Sequence, residues 1–313
     1  MSILNFIHAL SHPFETIANI IKSQYAEMAC SLRQNIFEQK AIRLTEQALH
    51  SEFCGITTEK YCKEEIIVSL TSYGKRINDV YLAIESIMQG SLKPNRIFLW
   101  LSEEEFSKAT LPITLQKQME RGLEIRFCKD IRSFKKLIFA LKECPNATII
   151  TIDDDAIYNF DFVENLLAAH KRIANCIWAN RVNEMTYTDN GTLKSYLHWN
   201  GTIKTNPINV KNNFFTGVGG VLYPPHSLHK EVFNEDVFMD ICPTADDIWF
   251  NAMARLNGTE IHKITAHSSI DEVFLVNDKL QSGGLCVKNN DPNDCRNDKQ
   301  IKAVFEKYGL LNQ

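Results

Sequence analysis

The chain has 313 residues, 44% hydrophobic and 23% charged, with a formal net charge of −4. Such values are ordinary for a globular protein, and the length allows two domains or one large α/β domain. The strong basic excess of a nucleic-acid-binding protein is missing, so we expect no nucleic-acid partner. No apolar stretch reaches the about 20 residues that a membrane-spanning helix needs.

Nine cysteines are scattered along the chain, and no two of them form a C-x-x-C pair. Their odd number and their spacing disfavour both a disulfide framework and a structural zinc site. Reduced thiols fit a cytoplasmic location, which includes the inner face of the plasma membrane. No secretory signal is recognised, so the three N-x-T sequons are interpreted as chance matches.

Residues 1–60 are predicted to form an N-terminal helical segment, with Pro13 dividing it and Gly55 near its end. Apolar side chains alternate four and three residues apart, which places them on one stripe of a helix. They are Ile3, Ile7, Leu10, Phe14, Ile17 and Ile21. We expect this stripe to pack on the main domain or on a second copy in a homo-oligomer. Peripheral membrane contact is the alternative, although few basic residues support it.

Residues 61–313 are predicted to form the main domain, in which short apolar strands alternate with amphipathic helices. The first four predicted strands cover residues 65–70, 95–101, 123–127 and 147–152. The acidic run 102–105 is expected to open one of the intervening helices. This alternation is typical of an α/β protein with a mainly parallel sheet flanked by helices. Ligands bind beyond the carboxyl ends of such strands, where loop 73–76 and the aspartates at 153–155 are placed.

Three consecutive carboxylates, Asp153, Asp154 and Asp155, follow the fourth predicted strand. Carboxylates this close repel one another unless a cation lies nearby, and Mg²⁺ and Mn²⁺ prefer carboxylate and phosphate oxygens. Side chains alternate in an extended segment, so Asp153 and Asp155 are predicted to point the same way, with Asp155 binding the metal directly and Asp153 contacting the metal or the ribose of a bound nucleotide. Asp154 then points away and is the most replaceable of the three. The alternative is a solvated acidic turn in which Asp155 caps the next helix.

A second carboxylate pair, Asp246 and Asp247, is predicted to open a helix that continues to Leu256. A carboxylate held there can act as a general base toward an acceptor hydroxyl. The alternative is a helix cap that also interacts favourably with the helix dipole.

Five motifs, taken in order, resemble the bacterial family-2-type glycosyltransferases that build lipopolysaccharide or capsule glycans. They are VSLTSYGKR at 68–76, KDI at 129–131, ITIDDD at 150–155, TGVGG at 216–220 and ADD at 245–247. The resemblance covers roughly residues 64–265 and implies the GT-A fold. It also implies a metal-dependent, inverting transfer of a sugar from a UDP-sugar to a hydroxyl of a glycan or lipid-linked acceptor. The family's usual P-x-Y-N opening is replaced here by Leu70, Thr71, Ser72 and Tyr73.

The resemblance implies a role for each matching residue. The nucleotide sugar would be contacted by Thr71, Ser72, Tyr73, Arg76, Asp130, Lys135, Lys136, Asp153, Asp154, Gly219 and Gly220. Mn²⁺ or Mg²⁺ would be held by Asp153 and Asp155, with His267 or His262 as a further ligand unless these are core histidines. Asp247 would be the catalytic base, with Asp246 beside it.

Two other functions are compatible with parts of the pattern. A sugar-phosphate nucleotidyltransferase also uses a parallel sheet and aspartate-bound Mg²⁺, but loop 71–76 has only one glycine for a phosphate-binding turn. The second is a non-catalytic assembly subunit that uses the N-terminal stripe and keeps a degenerate nucleotide-sugar site.

Overall fold

The computed structural model describes residues 13–207, 209–267, 269–277, 289–291 and 294–311, with side chains described from residue 17. The first helix, α1, is described from Pro13 to His50 and runs without a break. It ends at His50, so the predicted helix end near Gly55 is wrong, and a segment without regular structure leads to the sheet. The part of the predicted stripe from Ile3 to Leu10 lies outside the described residues.

Seven strands form the central sheet, in the order β10-β6-β9-β4-β1-β2-β3. The strands of the protein are β1 Ile66–Thr71, β2 Arg96–Ser102, β3 Leu123–Cys128, β4 Thr148–Thr151, β5 Ala156–Tyr158, β6 Ile177–Ala179, β7 Val182–Glu184, β8 Asn213–Phe215, β9 Val221–Tyr223, β10 Ile261–Lys263 and β11 Phe274–Val276. Only β9 runs antiparallel to its neighbours in the central sheet. Two small antiparallel sheets, β5 with β11 and β7 with β8, lie beside it.

Among the described residues, the α-helices after α1 are α2 Val80–Met88, α3 Ile113–Glu120, α4 Lys135–Glu143, α5 Phe162–Arg172, α6 Glu235–Ile241, α7 Asp246–Leu256 and α8 Arg296–Tyr308. The predicted α/β class, with a mainly parallel sheet flanked by helices and an N-terminal helix, is confirmed. Each of the first four strands begins and ends within one residue of its predicted bounds. The acidic run 102–105 does not open a helix, because a turn follows β2 and α3 begins at Ile113.

Strand β1 shows how the core is divided, because its side chains alternate between the two faces of the sheet. Val68 and Leu70 belong to one buried cluster, shared with α2, α3 and α5. Ile67 belongs to the other, shared with α4, α7 and α8. Covering both faces leaves the carboxyl ends of the strands as the accessible edge.

The buried side chains through which helix α1 packs on the domain lie in the second half of the helix. Phe37 and Leu44 pack with Leu82, Ile157 and Leu275 in a small third cluster. Toward its start, the apolar side chains Ile17, Ile21, Tyr25, Met28 and Leu32 are each more than half exposed. Contact of this stripe with a second copy or a membrane surface stays a prediction. In the described part of the chain, no helix has the length and apolar character needed to cross a bilayer.

Candidate functional site

Two neighbouring parallel strands, β1 and β4, end side by side and bring their following loops together. Ser72, after β1, donates a hydrogen bond through Oγ to Asp154 Oδ2 at 2.6 Å. Arg76 Nη1 lies 2.7 Å from Asp154 Oδ1 and 3.0 Å from Asp155 Oδ2. The loop after β1 and the acidic triplet therefore form one hydrogen-bonded unit.

The orientation predicted for Asp154 within the acidic triplet is wrong. The chain turns at Asp154 and Asp155 instead of staying extended, so strand-like alternation does not apply. Asp154 does not point away from the others, because it shares Arg76 with Asp155. Its side chain is only 7% exposed, against 28% for Asp153. Asp154 is thus the buried anchor of the loop, and Asp153 is the most accessible of the three.

Lys136, in the first turn of α4, lies between the two predicted carboxylate motifs. Its Nζ is 2.8 Å from Asp153 Oδ1 and 3.1 Å from Asp246 Oδ2. Ser69 on β1 donates a hydrogen bond to the backbone carbonyl of Lys136, at 2.5 Å, and so fixes this turn against the sheet. Burial opposes the charge of Lys136, but Asp153, Asp246 and Asp247 outweigh it and raise the pKa well above its ordinary value.

Asp246 and Asp247 occupy the first turn of α7, as the sequence predicted. Asp247 Oδ2 accepts a hydrogen bond from the backbone N–H of Gly217 at 3.0 Å. Burial and the neighbouring Asp246 raise the pKa of Asp247 to about 7, while Lys136 and the Gly217 N–H partly oppose the shift. Asp247 therefore changes charge close to neutral pH, in a side chain that stays partly accessible.

The site holds more negative than positive charge. Five carboxylates, those of residues 153–155 and 246–247, gather around the cationic groups of Arg76 and Lys136. Burial, followed by repulsion from Asp153 and Asp154, raises the pKa of Asp155 to about 6, and Arg76 only partly opposes this. Asp246 Oδ2 is buried and accepts no hydrogen bond, although Lys136 Nζ is within ion-pair distance.

These features fit a hard divalent cation. Carboxylate oxygens are the ligands that Mg²⁺ and Mn²⁺ prefer, and an added positive charge would relieve the repulsion that raises the pKa of Asp155. Asp153 and Asp155 are the donors that the sequence predicted for this ion. Asp153 is accessible, and only its Oδ1 takes part in the ion pair with Lys136.

The two predicted histidine ligands are engaged elsewhere. His267 Nε2 lies 3.2 Å from Asp161 Oδ1 and 3.1 Å from Asn165 Nδ2. His262, on the edge strand β10, lies 2.8 Å from Glu260 Oε2. Within the described residues, neither ring forms a three-ligand group with Asp153 and Asp155. The structure thus gives no support to a histidine ligand at this site.

Gly217 is a site residue that the sequence analysis missed. A Cβ atom at this position would lie 2.9 Å from Asp247 Oδ1, 3.1 Å from Lys136 Nζ and 3.8 Å from Asp153 Oδ1. Gly217 thus keeps the space at the centre of the acidic cluster clear of a side chain. Its membership of the TGVGG motif was a signal, but only the folded chain shows which glycine faces the carboxylates.

The predicted pair Gly219 and Gly220 shapes the backbone instead. The Gly219 carbonyl accepts a hydrogen bond from Asn180 Nδ2 at 3.0 Å. Gly220 has a φ of 80°, and a Cβ there would collide with Phe162 at 2.3 Å. The close approach of these two glycines to a donor sugar stays a prediction. The contacts of both residues with Asn180 and Phe162 show only that they are needed for the local backbone.

Tyr158 on β5 is a second residue that the sequence analysis missed. Its buried Oη accepts a hydrogen bond from the backbone N–H of Asp153 at 2.9 Å and donates one to the Val218 carbonyl at 3.1 Å. The tyrosine thereby connects the acidic triplet to the glycine-rich turn. A tyrosine in a short strand carries no sequence signal for this role.

Of the remaining residues predicted to contact the nucleotide, some are bonded to other parts of the protein and one is largely exposed to solvent. Thr71 Oγ1 donates a hydrogen bond to the Trp100 carbonyl at 2.8 Å, which commits it to β2. Lys135 is buried and forms an ion pair with Asp130 after β3. Tyr73 is 51% exposed, with its ring 5.3 Å from the Arg76 guanidinium carbon. Among these four, Tyr73 offers the most accessible surface.

The sequence matches no protein-family model and no curated protein. Among solved structures, it is similar to CMP:2-keto-3-deoxy-manno-octonic acid synthetase complexed with CTP (TM-score 0.38, 12% identity), over 64% of this chain and 89% of that chain. It is also similar to TarS (1-349) of S. aureus (TM-score 0.45, 12% identity), over 78% and 71% of the respective chains. A third similar structure is the mannosyltransferase PcManGT from Pyrobaculum calidifontis in complex with GDP-Man and Mn²⁺ (TM-score 0.31, 11% identity), over 48% of this chain and 44% of that chain. Similarity at this level concerns the overall fold alone.

Proposed function

We propose that this chain is a metal-dependent GT-A-type glycosyltransferase that moves a sugar from a UDP-sugar to a hydroxyl of a glycan or lipid-linked acceptor. The observation that carries the proposal is the position of Lys136 between Asp153 and Asp246. The carboxylates proposed for the donor and those proposed for proton abstraction thus belong to one cluster, at the carboxyl ends of parallel strands, where ligands bind in such sheets.

Asp153 and Asp155 would hold Mn²⁺ or Mg²⁺ at this cluster. When bound, such an ion supplies positive charge to the diphosphate of the departing nucleotide. The excess of carboxylates over cationic side chains supports a cation here. Lys136 contributes a second positive charge beside Asp153, where the diphosphate would lie.

The loop after β1 would bind the nucleotide. Arg76 holds Asp154 and Asp155 in place, and Ser72 supports Asp154 from the other side. The exposed ring of Tyr73 offers a flat surface on which the base can stack. Gly217 leaves the space beside Asp153 and Asp247 that the sugar and the acceptor need.

Asp247 would act as the general base. A base is most effective when its pKa is near the working pH, and that of Asp247 is raised to about 7. It would accept the proton of the acceptor hydroxyl as that oxygen bonds to the anomeric carbon. The bond from this carbon to the nucleoside diphosphate breaks on the opposite side, so the configuration inverts.

Binding of UDP in the presence of Mn²⁺, measured by calorimetry, tests the donor site. We expect the wild-type chain to bind UDP and Asp153→Asn to lose most of that affinity. Asp189→Asn, which changes an exposed carboxylate away from the cluster, is the matched control and is expected to bind like the wild type. Absence of UDP binding in the wild type, or equal binding by Asp153→Asn, would contradict the proposal.

A panel of nucleotide sugars offered with Mn²⁺ tests the reaction. Release of the nucleoside diphosphate, lost in Asp247→Asn, is the expected result. Release of pyrophosphate from a nucleoside triphosphate and a sugar phosphate would instead identify a nucleotidyltransferase. UDP binding without any turnover across donors and acceptors would favour a non-catalytic subunit.

A further inference from the structure

A second group of metal-ligating side chains lies at the opposite end of β1 from the acidic cluster. Cys62 and Glu64 precede β1, and His170 is in the last turn of α5. One ligand atom from each of the three lies within 4.8 Å of the other two. A strand of six residues is roughly 20 Å long, so this group is separate from the site described above.

His170 has the properties of an unused ligand. Its side chain is only 3% exposed, and its Nδ1 is buried without a hydrogen-bond partner. A buried polar nitrogen normally has such a partner, because leaving it without one costs about 1–3 kcal/mol. Burial also lowers the pKa of His170 and keeps the ring neutral, the form in which histidine binds a metal.

Cys62 and Glu64 face the same space from a single short segment. Cys62 Sγ lies 3.4 Å from the Glu64 backbone carbonyl, to which the thiol donates. Both side chains are partly exposed, so an ion can reach them from solvent. Burial raises the pKa of the Cys62 thiol, and the negative charge of the Glu64 carboxylate acts in the same direction.

The ligand set of one sulfur, one nitrogen and one carboxylate oxygen selects among metals. Mg²⁺ and Mn²⁺ prefer oxygen alone, whereas Zn²⁺ takes cysteine, histidine and carboxylate ligands together. Zinc–ligand distances of about 2.0–2.3 Å place tetrahedral ligands roughly 3.5 Å apart, so small side-chain movements close the site. The group contains a single cysteine, and His170 is distant from it along the chain, so no metal-binding motif is visible in the sequence.

We propose that Cys62, Glu64 and His170 bind one Zn²⁺ ion, with water as the fourth ligand. The Cys62 thiol releases its proton to solvent on binding, and the resulting thiolate and the Glu64 carboxylate balance the charge of the ion. The ion ties the segment between α1 and β1 to α5. This proposal departs from the sequence-based expectation, which disfavoured a structural zinc site.

Cobalt substitution tests this site without any use of enzymatic activity. The full-length chain is stripped of metal and titrated with Co²⁺ in saturating Mg²⁺, which occupies oxygen-only sites. We expect the ultraviolet thiolate-to-cobalt band to saturate at one equivalent and to disappear when Zn²⁺ is added. Cys62→Ser should lack the band, whereas Cys54→Ser, in the same segment but outside the group, should keep it.

A second measurement covers the case in which a substitution disturbs folding. Zn²⁺ should raise the thermal unfolding midpoint of the wild type and of Cys54→Ser, but not that of Cys62→Ser or Glu64→Gln. A wild type without the cobalt band would overturn the proposal, as would a band that persists in Cys62→Ser. Neither readout depends on UDP or Mn²⁺ binding, so failure here leaves the proposed glycosyl transfer unaffected.

Discussion

The ammonium group of Lys136 lies 2.8 Å from Asp153 Oδ1, and the same nitrogen is 3.1 Å from Asp246 Oδ2. One side chain thus connects the end of β4 to the start of α7. Since Lys136 and Asp246 are largely buried and Asp153 is partly buried, water screens their charges poorly. The protonation and position of each group therefore depend on the other two.

Replacing Lys136 with methionine removes the internal cation and leaves Asp153, Asp246 and Asp247 to repel one another. Breaking a buried ion pair from one side costs about 3–5 kcal/mol, so we expect a loss of this order in the free energy of unfolding. Mn²⁺ supplies the missing positive charge, so it should restore more stability to the variant than it adds to the wild type. Chemical denaturation with and without Mn²⁺ measures both effects.

Lys135→Met is the matched control, since this neighbouring lysine is equally buried on α4. Its partner is the single carboxylate of Asp130, which is 44% exposed and can be hydrated once the lysine is gone. We therefore expect a smaller loss and no specific rescue by Mn²⁺. Equal rescue of the two variants would show that Mn²⁺ does not act at the acidic cluster.

Asp154 and Asp153 should respond differently to the same change to asparagine. Asp154→Asn weakens charge-assisted hydrogen bonds from Ser72 and Arg76, each worth about 1.5–3 kcal/mol, so the folded state should be destabilised. Asp153→Asn changes a more exposed carboxylate and should instead weaken Mn²⁺ and UDP binding. Unfolding and calorimetric titration of both variants would separate these effects. The reverse pattern would restore the sequence-based view that Asp154 is replaceable.

The sequence predicted the parallel part of the fold well, because periodicity is a local property. Strands such as Ile66–Thr71 are almost wholly apolar and are bounded by polar loops, so their limits are visible in the sequence. The acidic run 102–105 was misjudged because a turn and a helix start use the same polar residues. The helix end at His50 carried no glycine to mark it.

Within the site, the sequence identified the carboxylates together with Ser72, Arg76 and Lys136, but it did not predict that these side chains pair with one another. Asp247 was recognisable beside Asp246 at a helix start. The position of Lys136 between the two acidic motifs, in contrast, depends on how α4 packs on β1. The orientation of Asp154 was misjudged because alternation holds only while the chain stays extended. Tyr158 became recognisable only through its hydrogen bond to Val218, and Gly217 only through its closeness to Asp247 and Lys136.

Gly217→Ala should reduce activity far more than stability. The added Cβ would lie 2.9 Å from Asp247 Oδ1, so the carboxylate must move away from the position held by the Gly217 N–H. A displacement of this kind at a reacting group can cost about 100-fold in rate. Gly201→Ala is the control, because a Cβ there meets nothing within 4 Å. Similar activity in both variants would exclude Gly217 from the site.

Asp247→Asn should remove the general base while leaving the donor site in place. General-base catalysis contributes about 10²–10⁴-fold, so kcat should fall by that order while UDP affinity stays close to that of the wild type. In the wild type, kcat/KM should rise with pH as Asp247 loses its proton, with an apparent pKa at or below about 7 because bound metal favours the ionised form. Steady-state kinetics across pH, with UDP titrations alongside, provide the measurement. An unchanged kcat would remove Asp247 from the reaction.

Asp247 also gives the metal-free protein a pH-dependent stability whose sign is defined. Its folded pKa, about 7, is above its ordinary value of 3.8, so between these values the folded state holds a proton that the unfolded state has lost. The contribution of Asp247 to stability therefore falls as pH rises from about 4 to 7. Asp247→Asn lacks this titration. The free energy of unfolding of the variant minus that of the wild type should therefore increase between about pH 4 and pH 7, by at most about 1.4 kcal/mol per pH unit. Above about pH 7 this difference should become constant. Urea denaturation of both proteins at a series of pH values measures this difference, and a constant difference from pH 5 to 8 would show that the carboxyl group does not titrate near 7.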